Sequence, residues 1–410
     1  RAQLFDSAFV RFWRPGGPTH SSPAYGFDGD TVVRVPVLGL DTASTYAIEV
    51  NLVLGDSTAA VDTASFQSGT LPDWIPVVGT QGTDTTPGLL AISFADGPVI
   101  IDNTGKVVWY LYSPNGRLNS FQVHPDGRYT LMGHNDPLRY FQVLDDLGEE
   151  VDSLSCVGYT TRFHEILIRP DGSAWIMCDE TRRMDLTAVG GVNPADVVAT
   201  VVQRLAPDGS VLSEWTSFDY VAITDIPPNA RTFSRVNLTH GNALALDPDG
   251  HLLLSLRSLN QVMQIDTTSG DVQWRFGGVR NEFTFVNDPK GVFEGQHGVR
   301  VSGPGLIQLL DNGSNAPSRF LRYLLNPETR TALLVTEFID APDTWSRVGG
   351  GTDAYSNGHG IVTFGEAGQV VEVDEVGNRA WELTGIDGHY VFRVQRITSL
   401  YAPERVAAGR

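Results

Sequence analysis

Apolar and polar residues alternate with the period of a β-strand in three runs near the start of the chain. The runs cover residues 8–13, 31–35 and 46–54, and a cluster rich in Pro and Gly at residues 14–18 separates the first two. A period of two places the apolar side chains on one face of a sheet. The pattern predicts a small β-sandwich over residues 1–75.

The third run is preceded by a short tyrosine motif. Leu40 is followed by Tyr46 at the point where the chain enters this run. The spacing resembles the tyrosine corner of fibronectin type III domains, in which a tyrosine hydroxyl fastens a crossover loop. We therefore expect a fibronectin type III-like sandwich that acts as a support or docking domain.

A repeated unit appears from about residue 80, after a linker rich in Pro, Gly and Thr. Each unit has an apolar strand, a tight turn typically of the Pro-Asp-Gly kind, a second strand and a later hairpin. The units begin near residues 88, 119, 163, 239, 296 and 358. Six units of four strands are typical of sheets arranged radially around a channel. The sequence predicts an all-β fold, in which a six-bladed β-propeller carrying the active site spans residues 80–410 and the tail 392–397 closes the ring.

Histidines recur at one position of this repeat. The innermost strand of a propeller blade lines the channel, and the second strand returns antiparallel to it, so the start of the first and the end of the second share one rim. The predicted inner strands open with His164, His240, His297 and His359, and the returning strands end with His134, Asp179, Arg257 and Asp311. We expect both sets to meet at one mouth of the channel.

Charge and composition restrict the partners. Asp and Glu exceed Lys and Arg by 48 to 29, which gives a net charge of −19. Such a chain repels nucleic acid and anionic membranes, and no apolar run reaches the roughly 18 residues of a membrane span. The two cysteines, Cys156 and Cys178, fit either one disulfide of an exported protein or two buried thiols.

Two chemistries suit the predicted cluster. In the first, Arg257 and several imidazoles surround a tetrahedral oxyanion such as sulfate, and one histidine attacks it. In the second, a divalent metal (Zn, Fe, Mn or Cu) is held by one imidazole from each of four blades, His164, His240, His297 and His359. The metal would support a lyase, hydrolase or oxygenase. A binding propeller without catalysis is the third alternative.

Four segments of the chain resemble a known family. They are Thr239-His240-Gly241-Asn242-Ala243, Leu254-Ser255-Leu256-Arg257-Ser258, Gln296-His297 and Leu310-Asp311-Asn312-Gly313. The family that they resemble is the bacterial arylsulfate sulfotransferases. The resemblance implies sulfuryl transfer between phenolic compounds through a sulfohistidine, with no cofactor and no nucleotide donor. It implies that His297 is the nucleophile, that His240, Asn242 and Arg257 bind the sulfuryl oxygens, and that His164 acts as acid and base. We expect the remaining members of the cluster to contact substrate: His359, Asp311, Asp179 and His134.

The same resemblance, the fibronectin-like module and a Cys156–Cys178 bridge would place the protein in the periplasm or outside the cell. An aryl sulfate and a phenol are the partners it implies, and the sequence leaves open whether the chain forms a homo-oligomer.

Overall fold

The computed structural model describes residues 5–27, 32–113, 119–133 and 139–401. The first sheet contains β1 (Ser7–Trp13), β2 (Thr19–Ser21), β3 (Tyr25–Gly26), β4 (Thr45–Leu54) and β5 (Ser57–Gln67). Its strands follow the order β2-β1-β4-β5, and β3 pairs with β1. Three buried apolar side chains of this sheet, Val10, Phe12 and Tyr46, form a small core of their own.

All later strands belong to six further sheets. The chain continues with β6 (Gly79–Gln81), β7 (Leu89–Phe94), β8 (Gly97–Asp102) and β9 (Val107–Tyr110). Next come β10 (Asn119–Val123), β11 (Tyr129–Gly133), β12 (Phe141–Leu144) and β13 (Glu150–Leu154). The third group is β14 (Thr160–Ile168), β15 (Ala174–Met184), β16 (Ala195–Leu205), β17 (Val211–Thr216) and β18 (Arg235–Asn237).

The second half of the chain repeats the arrangement. It contains β19 (Gly241–Leu246), β20 (Leu252–Leu256), β21 (Gln261–Ile265) and β22 (Val272–Phe276). These are followed by β23 (Thr284–Val286), β24 (His297–Gly303), β25 (Leu306–Asp311), β26 (Arg319–Asn326) and β27 (Thr331–Ile339). The last strands are β28 (Gly351–Ala354), β29 (Gly360–Phe364), β30 (Gln369–Val373), β31 (Arg379–Thr384) and β32 (Val391–Ile397). Short 3₁₀ turns occur at Thr187–Val189, Ser217–Asp219, Ile223–Asp225, Pro228–Thr232 and Arg257–Leu259.

Each of the six sheets contains a four-stranded antiparallel meander, as expected for propeller blades, and β18 and β23 add parallel strands to blades 3 and 5. Blades 2, 3 and 4 begin with β10, β14 and β19, blade 5 begins with β24, and blade 6 begins with β28. Blade 1 has the order β32-β7-β8-β9, so the last strand of the chain is the inner strand of the first blade. The ring is therefore closed by pairing between the two ends of the repeat. The predicted all-β propeller fold is confirmed.

The Pro-Asp-Gly turns explain why these hairpins form. In blade 3, Gly172 has a φ of +79°, a left-handed conformation that suits a residue without a Cβ. One residue earlier, the carboxylate of Asp171 accepts hydrogen bonds from both the backbone N–H and the hydroxyl of Ser173. The aspartate thus holds the tight turn closed, and the apolar strands on either side pack between neighbouring blades.

The N-terminal sheet contains the predicted tyrosine contact. The hydroxyl of Tyr46 accepts a hydrogen bond from the backbone N–H of Asp41 at 2.8 Å. The described residues of this region form one sheet, and its likeness to a fibronectin type III domain stays a prediction. Tyr25 donates to Asp146 at 3.0 Å, which fastens the sheet to blade 2.

Cys156 and Cys178 form a disulfide. Cys156 lies after the outer strand of blade 2, and Cys178 lies in the second strand of blade 3. The bond therefore joins two adjacent blades. Among the described residues, no helix has the length and apolar character needed to cross a bilayer.

Candidate active site

A cavity of about 730 Å³ opens at the end of the channel where the inner strands begin. Blades 3, 4 and 5 contribute histidines and arginines, and blade 1 contributes aromatic rings. The lining residues are Arg139, Thr161, Arg162, Phe163, His164, Asp179, His240, Arg257, His297, Val348, Gly349, Tyr390 and Phe392. Three of these are arginines and one is a carboxylate, so the cavity of this acidic protein is suited to an anion.

Three of the predicted histidines meet in this cavity. One nitrogen each from His164, His240 and His297 lies within 4.8 Å of the other two. The ring centroid of His164 is 5.3 Å from that of His240 and 6.4 Å from that of His297. The sequence therefore predicted correctly that imidazoles from blades 3, 4 and 5 converge. Their spacing would also permit a three-histidine metal site.

Irregularities of the inner strands aim these side chains into the cavity. The register shifts in β14 between Thr161 and Ile166, in β24 between His297 and Arg300, and in β32 between Val391 and Val394. A β-bulge inserts unpaired residues and turns side chains away from strict alternation. Neighbouring residues such as Phe163 and His164 can thus both line the cavity.

Hydrogen bonds of His297 determine which of its nitrogens carries the proton. Nδ1 lies 2.9 Å from the carbonyl oxygen of Gly295 and 2.7 Å from Oδ1 of Asn312. The amide of Asn312 is oriented in turn, because its Nδ2 donates to the carbonyls of Ser346 and Gly349. Both neighbours of Nδ1 are therefore acceptors, so Nδ1 carries the hydrogen. The lone pair of the neutral ring is left on Nε2.

His240 has a left-handed backbone conformation with a φ of +51°. Non-glycine residues in this region carry strain that persists only when the surroundings hold it. The next residue is held from blade 3, where the hydroxyl of Thr200 accepts from the N–H of Gly241 at 2.8 Å. On the ring, Nδ2 of Asn237 lies 2.9 Å from Nδ1 of His240. With this amide orientation, Nδ1 accepts and Nε2 carries the proton.

Two arginines of the cavity differ in their partners. Arg162 binds both oxygens of Asp179 through Nη1, at 2.9 and 2.8 Å, and its Nε donates to the carbonyl of Gly241. Arg257 forms no ion pair with any carboxylate in the described part of the chain, and burial lowers its pKa. A half-buried guanidinium without a counter-charge is suited to bind an anionic ligand.

Burial keeps the central imidazoles neutral. Desolvation lowers the pKa of His297 to about 4, and the charge of Arg257 adds to this effect, whereas the hydrogen bond that the ring donates to Asn312 opposes it. Desolvation, then Arg162 and the neighbouring histidines, lower the pKa of His164 well below its usual value. Both rings are therefore uncharged near neutral pH, which is the state that can attack an electrophile or accept a proton.

The prediction that His359 opens an inner strand at this mouth is wrong. Blade 6 has an additional inner strand, β28, and His359 follows the hairpin between β28 and β29 at the opposite end of the channel. Its Nδ1 lies 3.0 Å from Glu372, which also binds the hydroxyls of Thr85 and Thr86. His359 thus helps to fasten the linker to blade 6 and stands outside the cluster. The structure therefore brings together three of the four histidines that the metal alternative requires.

Other predicted residues lie beside the cavity and support it. Asp311 is buried and accepts hydrogen bonds from Arg319 at 2.8 Å and from the backbone of Glu294 and Gly313. Asn242 donates from Nδ2 to the carbonyl of Gln296 at 2.6 Å, which holds the residue before His297. Asp179 lines the cavity as the partner of Arg162. His134 lies outside the described residues.

Sequence reasoning missed several residues of the cavity. Arg162 stands two positions before His164, and this proximity could have identified it. Phe392 lies in the strand that closes the ring and Tyr390 directly precedes it, and the ring centroids of Phe163 and His164 are 4.1 Å apart. Aromatic rings next to the imidazoles suit a ligand with an aryl group.

The family comparison agrees with these features. The sequence model of the family described as arylsulfotransferase (ASST) matches residues 143–386, which is more than half of the chain. The chain belongs to the arylsulfotransferase family. The resemblance expected from the His-Gly-Asn and Gln-His motifs is thereby confirmed. Membership indicates a transferase that is sulfotransferase-like and acts on small aryl compounds.

Solved structures resemble this arylsulfotransferase-family chain only remotely. A protein of unknown function from Bacteroides caccae is 16% identical, with 77% of this chain and 100% of that chain covered and a TM-score of 0.48. Virginiamycin B lyase from Staphylococcus aureus is 13% identical, with 75% and 99% covered and a TM-score of 0.41. Hydrazine synthase from Kuenenia stuttgartiensis is 12% identical, with 88% and 100% covered and a TM-score of 0.42. A comparison with curated proteins found no match.

Proposed function

We propose that this protein transfers a sulfuryl group from an aryl sulfate to a phenol through a sulfohistidine at His297, without a nucleotide sulfate donor. The observation that carries the proposal is the protonation state of His297. Two acceptors at Nδ1 leave the lone pair on Nε2, in a cavity where Arg257 has no described carboxylate partner. A neutral imidazole beside a guanidinium that no described carboxylate neutralises can attack a bound oxyanion.

The reaction has two steps. Nε2 of His297 forms a bond to sulfur while the bond between sulfur and the aryl oxygen breaks, and the electron pair leaves with the phenolate. His164, which is neutral at rest, takes up a proton from solvent and passes it to the phenolate oxygen. In the second step His164 accepts the proton of the incoming phenol, whose oxygen attacks sulfur, and the N–S electron pair returns to Nε2. His164 then returns the accepted proton to solvent, so no charge or proton is left over after both steps.

The other residues of the cavity would act on the sulfuryl oxygens. Arg257 offers a fixed fork of donors that matches a tetrahedral oxyanion, and Nε2–H of His240 is a further donor. For Asn242 the hydrogen bond to Gln296 favours a positioning role over direct contact with the substrate. The rings of Phe163, Tyr390 and Phe392 would hold the aryl group.

A metal-dependent propeller enzyme is the second candidate. The observation in its favour is that nitrogens of His164, His240 and His297 lie within 4.8 Å of one another. The adjacent guanidiniums of Arg162 and Arg257 weigh against a dication, since they would repel it. Elemental analysis of the purified protein decides: near-stoichiometric zinc, iron, manganese or copper, with turnover lost on chelation, would favour this candidate.

The test of the first candidate is turnover of 4-nitrophenyl sulfate with phenol as acceptor. We expect His297→Ala to lose about 10³-fold or more of the rate, because the nucleophile is absent. A matched control is His20→Ala, which removes an exposed histidine from the first sheet. Peptide mass spectrometry after mixing with donor alone should find one added SO₃ group on His297. Full turnover by His297→Ala would refute the assignment, and a protein without turnover or metal would be a binding propeller.

Export from the cytoplasm fits the same proposal. The bond between Cys156 and Cys178 is typical of proteins in oxidising compartments. We propose a periplasmic or secreted location, which fractionation of cells that express the full-length protein would test.

A further inference from the structure

A buried carboxylate lies directly beneath the histidine cavity. The side chain of Glu165 is fully buried. Its Oε1 accepts from Nη1 of Arg393 at 2.5 Å, and its Oε2 accepts from Nη2 of the same arginine at 3.1 Å. Arg300 adds a third contact, with Nη1 3.1 Å from Oε2. One carboxylate thus joins two guanidiniums in a low-dielectric site.

The three residues come from three different inner strands. Glu165 lies in β14 of blade 3, Arg300 in β24 of blade 5 and Arg393 in β32 of blade 1. Glu165 and Arg393 lie in the bulges of their strands, directly after the cavity residues His164 and Phe392, and Arg300 lies at the edge of its bulge, three residues after His297. The bulges therefore divide consecutive side chains between the histidine cavity above and the ion cluster below.

This cluster forms a floor between two cavities. Below it, a second cavity of about 300 Å³ is lined by Glu165, Arg300 and Arg393 among others, and it shares no lining residue with the upper one. On this geometry, reactants enter and leave the upper cavity from the histidine side of the channel.

The same cluster holds the main chain of His164. Nη2 of Arg393 donates to the carbonyl oxygen of His164 at 2.7 Å, while Glu165 fixes the direction of the guanidinium. The imidazole is held mainly by packing: its Nδ1 is buried with no hydrogen-bond partner in the described residues. Its ring lies between Phe163, at 4.1 Å, and Phe392, at 5.8 Å between centroids. The position of this ring therefore depends on the backbone that Arg393 holds.

We propose that Glu165 is a positioning residue for His164, acting through Arg393, and that it sets the efficiency of proton transfer to the aryl oxygen. The inference rests on the proposed function, in which His164 exchanges that proton. A 4-nitrophenolate leaves with little help from an acid, whereas an unsubstituted phenolate depends on protonation as the bond to sulfur breaks. A displaced His164 should therefore harm poor leaving groups most.

The experiment compares kcat/KM for 4-nitrophenyl sulfate and phenyl sulfate, with one acceptor, in the wild-type protein and in Glu165→Gln. The amide keeps the shape of the side chain but removes its charge, so it releases Arg393 and the His164 carbonyl. In Glu165→Gln we expect kcat/KM to fall at least about tenfold more for phenyl sulfate than for 4-nitrophenyl sulfate.

The control is Glu372→Gln, another fully buried carboxylate that binds an arginine, with Arg396 at 2.9 Å. The Glu372 side chain faces the linker and His359 rather than His164. Its substitution should therefore lower the stability of the protein and leave the ratio of kcat/KM between the two donors unchanged. If Glu165→Gln does not fold, Arg393→Lys keeps the charge but loses the fork and should shift the ratio in the same direction.

Equal losses for both donors in folded Glu165→Gln or Arg393→Lys would overturn the inference. His297→Ala, assayed in parallel, separates this from a failure of the proposed function. An inactive His297→Ala together with an unchanged ratio contradicts only the role of Glu165. An active His297→Ala removes the basis of both.

Discussion

At the scale of single residues, the pocket is unusual in keeping histidines uncharged beside guanidiniums. Burial is the largest cause of the lowered pKa of His297, and Arg257 lowers it further. A protonated imidazole could attract an anion but would have no lone pair for attack, so the two tasks require different groups. In the proposed reaction the guanidinium would supply the positive charge for the anion, and the imidazole would keep its lone pair for attack.

This division of tasks predicts the pH dependence. Attack requires neutral His297, so kcat/KM for 4-nitrophenyl sulfate should be lost as the pH falls through about 4, the pKa of His297, and not near 6.5. In Arg257→Gln the positive charge that lowers this pKa is gone, so the acid limb should move to higher pH. The donor sulfate stays anionic throughout this range. The rate profile between pH 3 and 8 is the measurement, and a shift of the limb to lower pH in Arg257→Gln would contradict the electrostatic argument.

At the scale of the strand, the cavity histidines of blades 4 and 5, His240 and His297, are each followed by a glycine with little space for a Cβ. A Cβ on Gly298, whose φ is +61°, would lie 2.5 Å from the Cα of Gly351 at the start of the neighbouring inner strand. A Cβ on Gly241 would meet Cγ2 of Thr200 at 2.7 Å. At Gly298 the obstacle is the backbone of the adjacent inner strand, which cannot move aside easily, and at Gly241 it is the side chain of Thr200 in β16.

Gly298→Ala should consequently destabilise the protein by more than its backbone angle alone would cost. Gly209→Ala is the matched control, because that glycine has a φ of +79° and a Cβ added to it would have no described atom within 4 Å. Gly209→Ala should lower the free energy of unfolding by about 1–2 kcal/mol, because alanine is strained in the left-handed conformation. Gly298→Ala should cost more, and it should also lower turnover by displacing His297. Urea unfolding and the sulfate assay measure the two effects, and equal stabilities for both variants would show that blade 5 adjusts without strain.

Strand patterns also explain which parts of the site could be predicted from the sequence. Blades with a Pro-Asp-Gly turn, such as those at Asp171 and Asp249, were placed correctly because the turn marks the end of the inner strand. Blade 6 was misplaced by one strand because β28, with the sequence Gly-Thr-Asp-Ala, has no apolar alternation. The sequence therefore assigned His359 to the start of an inner strand, whereas it lies directly before β29, the second strand of blade 6. The contacts of Asn312 and Arg393 join segments far apart in the chain, and no local pattern predicts them.

At the scale of the whole molecule, the pocket exists only when the ring is closed. Phe392 and Arg393 belong to β32, which pairs with β7 from the other end of the repeat. The aromatic wall of the cavity and the guanidinium that holds His164 are thus both supplied by the last strand of the propeller. The site is therefore complete only in the closed ring.

Removal of the chain after Gly388 should therefore abolish both folding and turnover, since it deletes the inner strand of blade 1 and exposes buried side chains such as Leu90 and Ile92. The comparison is deletion of residues 1–70, a larger cut that removes the first sheet. No described residue of that sheet lines the histidine cavity, so turnover should persist within a few-fold. The melting temperature should fall, because contacts such as Leu38 N–H to the Tyr401 hydroxyl, at 3.0 Å, are lost. Circular dichroism and the sulfate assay distinguish the outcomes. A soluble, active protein without β32 would mean that the ring closes by another route, and a folded but inactive protein without the first sheet would give that sheet a part in the chemistry.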